Sequence, residues 1–265
     1  MKKDVVFING WPNSVRPLDT FIPELKDRTI LVCSKDISDE YLQHGWSCIP
    51  VDEHTWEYYR EHVFPRLIDQ DIKCVVADSE MHIEPAAHLR EALGVPGQTV
   101  ASARSFRNKL AMLDFLRGAS TFRVPRYLKI GTATRQEAET FCADLVNVVV
   151  KPIDGTDSKS VRLMSREDFL GEYEYLPHDS FAQEWIDAPI FHVDGLVVRG
   201  DLKFLSVAKY FNSCLQYSQG GVVGSEMVRN EAIIGKFDKA IRETLVLMPT
   251  PFNTTFHAEF FLDEI

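Results

Sequence analysis

The sequence predicts an α/β protein whose first part is an open parallel sheet. Short apolar runs, each followed by polar residues, alternate with segments that have a helical pattern. The predicted strands lie at residues 4–9, 29–33 and 74–78, and the predicted helices lie at 17–25, 40–44 and 56–69. This alternation is typical of sheets in which helices connect parallel strands. The 265 residues suffice for two small domains, or for two subdomains around one cleft.

The composition argues against several classes of protein. Hydrophobic residues make up 45% of the chain and charged residues 26%, as in a globular protein with a sizeable core. The formal net charge of −10 argues against a general nucleic-acid or acidic-membrane binder, which needs a basic surface. The five cysteines are scattered and odd in number, as expected of free thiols in a reducing compartment. Because no signal peptide or membrane span is recognisable, we expect a cytoplasmic protein.

Polar residues at the strand ends give a weaker signal. Ligands of parallel α/β sheets lie beyond the carboxyl ends of the strands, and Asp78 and Glu80 follow the third predicted strand. Glu80 is equally well explained as a charge or cap at the start of a helix. The turn after the first strand, NGWP at residues 9–12, lacks the glycine-rich dinucleotide fingerprint.

The chain after the first sheet becomes rich in strands. We predict strands at 126–130, 146–151, 161–164, 181–186, 190–198, 202–210 and 255–262, and helices at 82–93, 102–116, 134–145, 166–173 and 235–247. Thr134 and Glu137 have the spacing of a capping box. The predicted parts are an α/β domain at 1–98, a small subdomain at 99–184 and a larger subdomain at 185–265.

The stretch VVVKPIDGTDSKSV, residues 148–161, carries the first chemical signal. Its apolar run indicates a buried strand that ends at Lys151, and a loop of small and polar residues follows. Loop N–H groups can hold phosphate oxygens while the lysine supplies positive charge. The same residues also fit an ordinary hairpin with a lysine in its turn.

Four stretches, in this order, resemble the ATP-grasp ligases. RNKLAMLDFLRGASTFRVPRYLKI resembles the segment of the first lysine, and VVVKPIDGTDSKSV resembles the second-lysine strand with its phosphate loop. AQEWIDAPIFHVDGLVVRGDL resembles the hinge where adenine docks, and FHAEFFLDEI resembles the strand with an acidic magnesium ligand. HVDG and FHAEFF look most like the carboxylate–amine (amino-acid) ligase branch. The resemblance covers the chain after residue 98 and implies two subdomains with antiparallel sheets.

The resemblance implies how the phosphates of ATP would be bound. Lys109 would reach the α- or β-phosphate, and Lys151 would lie near the adenine N7 and the phosphates. Ser158 matches the serine of the phosphate loop. Glu259 would bind Mg²⁺, and with Lys151 it would be catalytic. Lys109 also fits a solvated helix lysine, and Glu259 also fits a strand residue facing solvent, on the same side as His257.

The resemblance also implies an adenosine site. Glu184 would accept the adenine amino hydrogens, and Trp185 and Ile186 would offer backbone groups to the purine edge. Asp187 or His192 would take the ribose, because Ile190 stands where many members have an acid. Alternatively, residues 183–186 are a strand with a buried tryptophan, and His192 is a packed core histidine.

Other positions depart from the family pattern. Asp157 and Ser160 stand where loop glycines are common. The family places a second acidic ligand and a catalytic arginine on the return strand, but this sequence ends six residues after Glu259. Asp263 and Glu264 lie where the hairpin turn is expected. The sequence is therefore truncated, is completed by a partner chain, or is not an active ligase.

The reaction implied by the resemblance joins a carboxylate to an amine at the expense of ATP, through an acyl phosphate. Its partners would be small-molecule substrates, and neither nucleic acid nor a membrane is expected as a partner. The resemblance leaves open whether the chain forms a homodimer. The loop 154–160 is the predicted lid, and residues 210–224 are either a second mobile loop or an ordinary surface loop. A non-catalytic nucleotide-binding homologue and a small-molecule kinase are the alternatives.

Overall fold

The structure is a computed structural model that describes residues 2–155, 160–212, 222 and 224–263. It divides into two compact units, Met1–Arg107 and Asn108–Ile265. The three-part division predicted from the sequence stays a prediction. Within the described residues, no helix has both the length and the apolar character needed to cross a bilayer.

The first unit contains the predicted parallel sheet. Its strands are β1 (Val5–Ile8), β2 (Thr29–Ser34), β3 (Ser47–Val51) and β4 (Cys74–Ala77), in the order β3-β2-β1-β4. The open parallel α/β sheet is confirmed. Strand β3 was missed because Pro50 interrupts its apolar pattern, and its position at one end of the sheet tolerates a residue that cannot donate a ladder hydrogen bond.

Two helices of the first unit are shorter than predicted, and one is longer. They are α1 (Leu18–Phe21), α2 (Lys35–Gln43), α3 (Trp56–His62), α4 (Ile83–Leu93) and α5 (Val100–Arg107). Pro23 and Pro65 each lie in a short 3₁₀ segment that follows α1 or α3, so the long helices predicted there are wrong. Proline cannot donate the hydrogen bond that continues an α-helix. The core of this unit includes Val6, Ile8 and Leu89.

The second unit contains two antiparallel sheets. One has the order β5-β8-β6-β7 and the other has the order β11-β10-β9-β12. The strands are β5 (Tyr127–Lys129), β6 (Asn147–Pro152), β7 (Arg162–Ser165), β8 (Ser180–Glu184), β9 (Ile190–Val198), β10 (Asp201–Tyr210), β11 (Ser225–Met227) and β12 (Thr254–Phe261). The helices are α6 (Lys109–Leu116), α7 (Arg135–Phe141), α8 (Arg166–Glu172) and α9 (Glu231–Leu247). This architecture confirms the predicted pair of antiparallel sheets.

Side-chain caps fix where several of these helices begin. Thr134 and Glu137 form the predicted capping box at α7. The side chain of Asn108 accepts a hydrogen bond from the backbone N–H of Ala111 at 3.0 Å and starts α6. The single helix predicted at 102–116 is therefore wrong, because Asn108 has extended backbone angles. Likewise Asn230 caps α9, which begins before Gly235.

The sheet that contains β9 has two different faces. Phe191, Val193 and Val207 belong to an apolar cluster that also includes Phe237 and Ile241 of α9. Side chains alternate along a strand, so His192 and Asp194 of β9 lie on the opposite face, as do His257 and Glu259 of β12.

Glu243 connects α9 to residues 120 and 121 of the same unit. Its carboxylate accepts hydrogen bonds from the backbone and hydroxyl groups of Ser120 and Thr121.

Candidate nucleotide and metal site

Lys151 is the half-buried lysine at the end of β6. Burial, followed by the nearby charge of Lys109, lowers its pKa to about 8, although Glu259 acts in the opposite direction. The Nζ atom also lies 5.2 Å from the ring centroid of Phe181, which is fully buried. The second unit therefore brings two lysines and one carboxylate into electrostatic range. Their roles towards a nucleotide stay predictions.

Lys109 begins α6 and is tied to the segment that follows β6. Its backbone N–H donates to the carbonyl of Ile153 at 3.2 Å, and its Nζ donates to the carbonyl of Gly155 at 2.5 Å. Gly155 belongs to the predicted loop at 154–160, in which residues 156–159 lie outside the described residues. Ser158, Asp157 and Lys159, and most of the loop at 210–224, lie outside the described residues.

Glu184 is buried at the end of β8, with 7% of its surface exposed. Its carboxylate accepts hydrogen bonds from the guanidinium of Arg123, from the Nε of Arg126 at 3.1 Å and from the backbone N–H of Arg126 at 3.0 Å. Burial alone would raise the pKa of Glu184, but these hydrogen bonds outweigh it and lower the pKa. An adenine amino group would compete with two arginines for this carboxylate, so the predicted adenine contact stays untested.

The predicted hinge follows Glu184 between β8 and β9. The backbone N–H of Trp185 donates to the carbonyl of Asn147 at 3.4 Å. Trp185 and Ile186 are half-buried, and Asp187 is exposed. Purine contacts from this segment remain predictions, and Trp185 would have to give up its present backbone partner to donate to a nucleotide.

His192, Asp194, His257 and Glu259 form a polar cluster on the face of the sheet opposite α9. In the ladder between β9 and β12, His257 pairs with Asp194 and Glu259 pairs with His192. The Nδ1 atoms of His192 and His257 each lie 2.8 Å from a different oxygen of Asp194. The Nε2 atom of His257 lies 3.8 Å from the Oε1 atom of Glu259. We call these four residues the open-face cluster.

Electrostatics in the open-face cluster follow from its carboxylates. The interaction with the Glu259 carboxylate, followed by the hydrogen bond to Asp194, raises the pKa of His257 to about 9 despite burial. For Asp194, burial acts to raise the pKa, but hydrogen bonds from the two histidines lower it overall. His192 bonds Asp194 and the hydroxyl of Ser225, which lies 3.0 Å from its Nε2 atom, and its contact with the ribose stays a prediction.

Reasoning from the sequence did not single out three of these groups. Arg123 and Arg126, the partners of Glu184, line a groove of about 640 Å³ with Tyr127. No sequence signal connects them to Glu184, which lies 58 or more positions away. The third group is Asp194, whose spacing of two from His192 places both on one face of β9, as the same spacing does for His257 and Glu259.

Comparisons with known proteins agree with this architecture. The sequence profile of the ATP-grasp domain matches residues 106–247, more than half of the chain. No curated protein matches the chain in sequence.

Solved structures share the fold at low sequence identity. An L-amino acid ligase from Bacillus licheniformis is 20% identical, with a TM-score of 0.74 over 99% of this chain and 64% of the ligase. A carboxyaminoimidazole ribonucleotide synthase from Aspergillus clavatus, complexed with ATP, is 14% identical, with a TM-score of 0.74 over 99% of this chain and 67% of the synthase. A D-alanine–D-alanine ligase from Bacillus anthracis is 12% identical, with a TM-score of 0.64 over 99% of this chain and 83% of that ligase.

The chain thus spans 64% of the length of the L-amino acid ligase. Its two antiparallel sheets, its profile match and these structural relatives agree with one another. The chain belongs to the ATP-grasp family.

Proposed function

We propose that this chain belongs to an ATP-dependent ligase that joins a carboxylate to an amine, such as an amino acid, and releases ADP and phosphate. The observation that carries the proposal is the electrostatic group of Lys109, Lys151 and Glu259 in the second unit. Two ammonium groups suit the phosphates of ATP, since they oppose the charge that gathers on the phosphoryl oxygens. The L-amino acid ligase that shares the fold supports this reaction class.

The proposed reaction has two steps. A carboxylate oxygen of the first substrate attacks the γ-phosphorus of ATP, and the bond to ADP breaks. The nitrogen of the neutral amine then attacks the carbonyl carbon of the acyl phosphate, phosphate leaves, and the nitrogen loses a proton to form the amide. Lys109 and Lys151 would hold the phosphates in line and stabilise the transferred charge. A closed site would keep water from the acyl phosphate.

The donor atoms of Glu259 fit Mg²⁺, because this ion prefers carboxylate and phosphate oxygens. The side chain of Glu259 is 46% exposed, so its oxygens can reach a cation without a large loss of hydration. When bound, Mg²⁺ neutralises negative charge on the phosphates. We assign Glu259 as its protein ligand, and Lys151 as the group that stabilises the γ-phosphate.

We further propose that the substrates are small molecules and that the protein acts in the cytoplasm. The described cysteines, Cys33, Cys48, Cys74 and Cys142, are free thiols, as is usual in a reducing compartment. The net charge of −10 does not favour nucleic acid as a partner.

A nucleotide-protection experiment tests the proposal. Mg-ATP should raise the melting temperature of the chain, and Lys151→Met should abolish this increase, because methionine keeps the apolar stem and removes the charge. Lys203→Met is the matched control, since Lys203 is an exposed lysine of the same unit that pairs with Asp201. Glu259→Gln should weaken the dependence on Mg²⁺ more than the binding of adenosine. Unchanged protection in both Lys151→Met and Glu259→Gln would contradict the site.

The reaction class needs a separate assay. ADP release that requires a carboxylate and an amine together supports the ligase. ADP release with a phosphorylated alcohol as product would replace the ligase by a kinase. Nucleotide binding without turnover in the natural full-length protein would identify a non-catalytic homologue.

A further inference from the structure

The open-face cluster contains the ligand set of a second cation site. His192 and Asp194 lie two residues apart on β9, and His257 lies on β12 directly opposite Asp194. The same face of two neighbouring strands therefore presents an imidazole, a carboxylate and a second imidazole. One ligand atom from each of the three residues lies within 4.8 Å of the others.

The hydrogen bonds orient both rings towards the carboxylate of Asp194. Each Nδ1 atom lies 2.8 Å from a different oxygen of Asp194. The Nε2 atom of His192 has its own partner, the hydroxyl of Ser225 at 3.0 Å, and the Nε2 atom of His257 faces Glu259. Outer partners of this kind fix the orientation of histidines that bind metals. The two rings also stack, with centroids 5.4 Å apart and an angle of 30° between their planes.

We propose that His192, Asp194 and His257 bind one divalent transition-metal ion, of the class of Zn²⁺ or Co²⁺. A nitrogen and a carboxylate oxygen at 2.8 Å require a proton between them, so two protons now occupy the space between Asp194 and the rings. A divalent ion would take the place of these two protons, and each ring would then carry one N–H at Nε2, which faces Ser225 in His192 and Glu259 in His257, while any excess proton passes to water.

The donor atoms select the class of ion. Two imidazole nitrogens and one carboxylate suit zinc and cobalt, whereas Mg²⁺ prefers oxygen ligands alone. Neighbouring ligands of a tetrahedral zinc site lie about 3.3 Å apart when the bonds are about 2.0–2.1 Å long. The two Nδ1 atoms lie 2.8 Å from different oxygens of Asp194, so an ion bound by one of these oxygens requires the other ring to move towards it, and all three ligand atoms already lie within 4.8 Å of one another. Three protein ligands leave a fourth position for water or a substrate.

This site is separate from the proposed Mg²⁺ ligand, although the two are neighbours. Glu259 contributes to the orientation of His257 and is not one of the three ligands. The inference goes beyond the proposed ligase reaction and does not depend on it, because it concerns binding of a metal ion in the absence of nucleotide.

Cobalt titration of the chain, in the presence of excess Mg²⁺, tests the proposal. Co²⁺ bound to nitrogen and oxygen ligands should give visible d–d absorption with a stoichiometry of one, without the thiolate charge-transfer band that the cysteines would cause. Zn²⁺ should displace the cobalt in competition. The double variant His192→Gln and His257→Gln should lose at least about tenfold in affinity.

Two further variants make the result decisive. His178→Gln removes an exposed histidine of the same unit and should leave the spectrum unchanged. Glu259→Gln should keep the cobalt spectrum even where it reduces the effect of Mg²⁺ on ATP binding, which separates this inference from the proposed function. Circular dichroism of every variant reports whether it is folded. Equal cobalt affinity in the wild type and the folded double variant would overturn the site, as would a wild type that binds no cobalt or binds it through thiolate.

Discussion

The two units each contain a stacked pair of histidines, and the pairs have opposite surroundings. In the first unit, the rings of His54 and His82 lie 4.1 Å apart at an angle of 26°. In the second unit, the rings of His192 and His257 lie 5.4 Å apart at 30°. Asp194 bridges the second pair, whereas the buried Nε2 atom of His54 and Nδ1 atom of His82 have no hydrogen-bond partner among the described residues.

The charge that each pair favours differs accordingly. Burial, followed by the neighbouring His82, lowers the pKa of His54 to about 4, and burial lowers the pKa of His82. Glu259 and Asp194 raise the pKa of His257 to about 9. Both pairs stack, so stacking does not decide the charge. The difference lies in the facing carboxylates, which favour the charged form of His257, whereas burial without such a partner favours neutral rings in the first unit.

The largest expected effect is the acid sensitivity of the first unit. His54 takes up a proton near pH 6.5 in the unfolded chain but only near pH 4 in the folded chain. Its contribution to stability is therefore complete above pH 6.5 and is lost as the pH falls towards 4. Between about pH 7 and about pH 4.5 the wild type should lose roughly 2–3 kcal/mol more unfolding free energy than His54→Gln.

Urea denaturation of both proteins at the two pH values measures this difference. His62→Gln, which removes an exposed histidine of the same unit, should follow the wild type. Equal acid dependence of the wild type and His54→Gln would show that His54 is not held neutral, and the contrast between the two pairs would fail.

The next largest loss of unfolding free energy is expected when a glycine near each histidine pair is replaced by alanine. A Cβ at Gly195 of β9 would lie 2.2 Å from the Phe256 ring and 2.9 Å from the carbonyl oxygen of Phe204. Gly195→Ala should cost about 2 kcal/mol, since the contact with backbone cannot relax. The three atoms nearest to a Cβ at Gly10 all belong to the ring of His82, with the closest at 2.7 Å, and this side chain can shift more easily than backbone, so Gly10→Ala should cost less. Denaturant unfolding of both variants checks this order, and a larger loss in Gly10→Ala would contradict it.

The smallest loss of unfolding free energy is expected for a change at Asp194, which bridges His192 and His257. Asp194→Asn keeps the size of the side chain but removes the charge that both histidines face. The loss should be about 1 kcal/mol, because the carboxylate is partly exposed and water replaces its hydrogen bonds. Thermal unfolding without added metal measures the loss. His192→Gln in the Asp194→Asn background should then add little, and full additivity of the two changes would argue against a shared bridge.

Local sequence signals predicted much of the fold. The capping box of Thr134 and Glu137 depends on neighbours three residues apart, and β9 was predicted with the bounds that the structure has. Strand β3 was missed, because a five-residue strand with Pro50 at the end of a sheet has little pattern of its own. The boundary between α5 and α6 at Asn108 was missed, because residues with a helical pattern lie on both sides of this N-cap.

The candidate site shows a similar limit. The order of motifs implied a role for Lys109, Lys151 and Glu259, and the structure brings these residues into electrostatic range. The partners of Glu184 and the bridge at Asp194 could not be read from the sequence. They depend on strand register and on arginines distant in the chain, such as the alignment of His257 with Asp194 across 63 residues.

The Glu243 contact has a consequence for how the protein is made. Its hydrogen bonds to Ser120 and Thr121 close a loop of more than 120 residues. A ribosome releases the chain from its N-terminus, so the first unit can reach its native state while Glu243 is still untranslated. The second unit has to wait for α9, and until then residues 120 and 121 lack the carboxylate that accepts their hydrogen bonds.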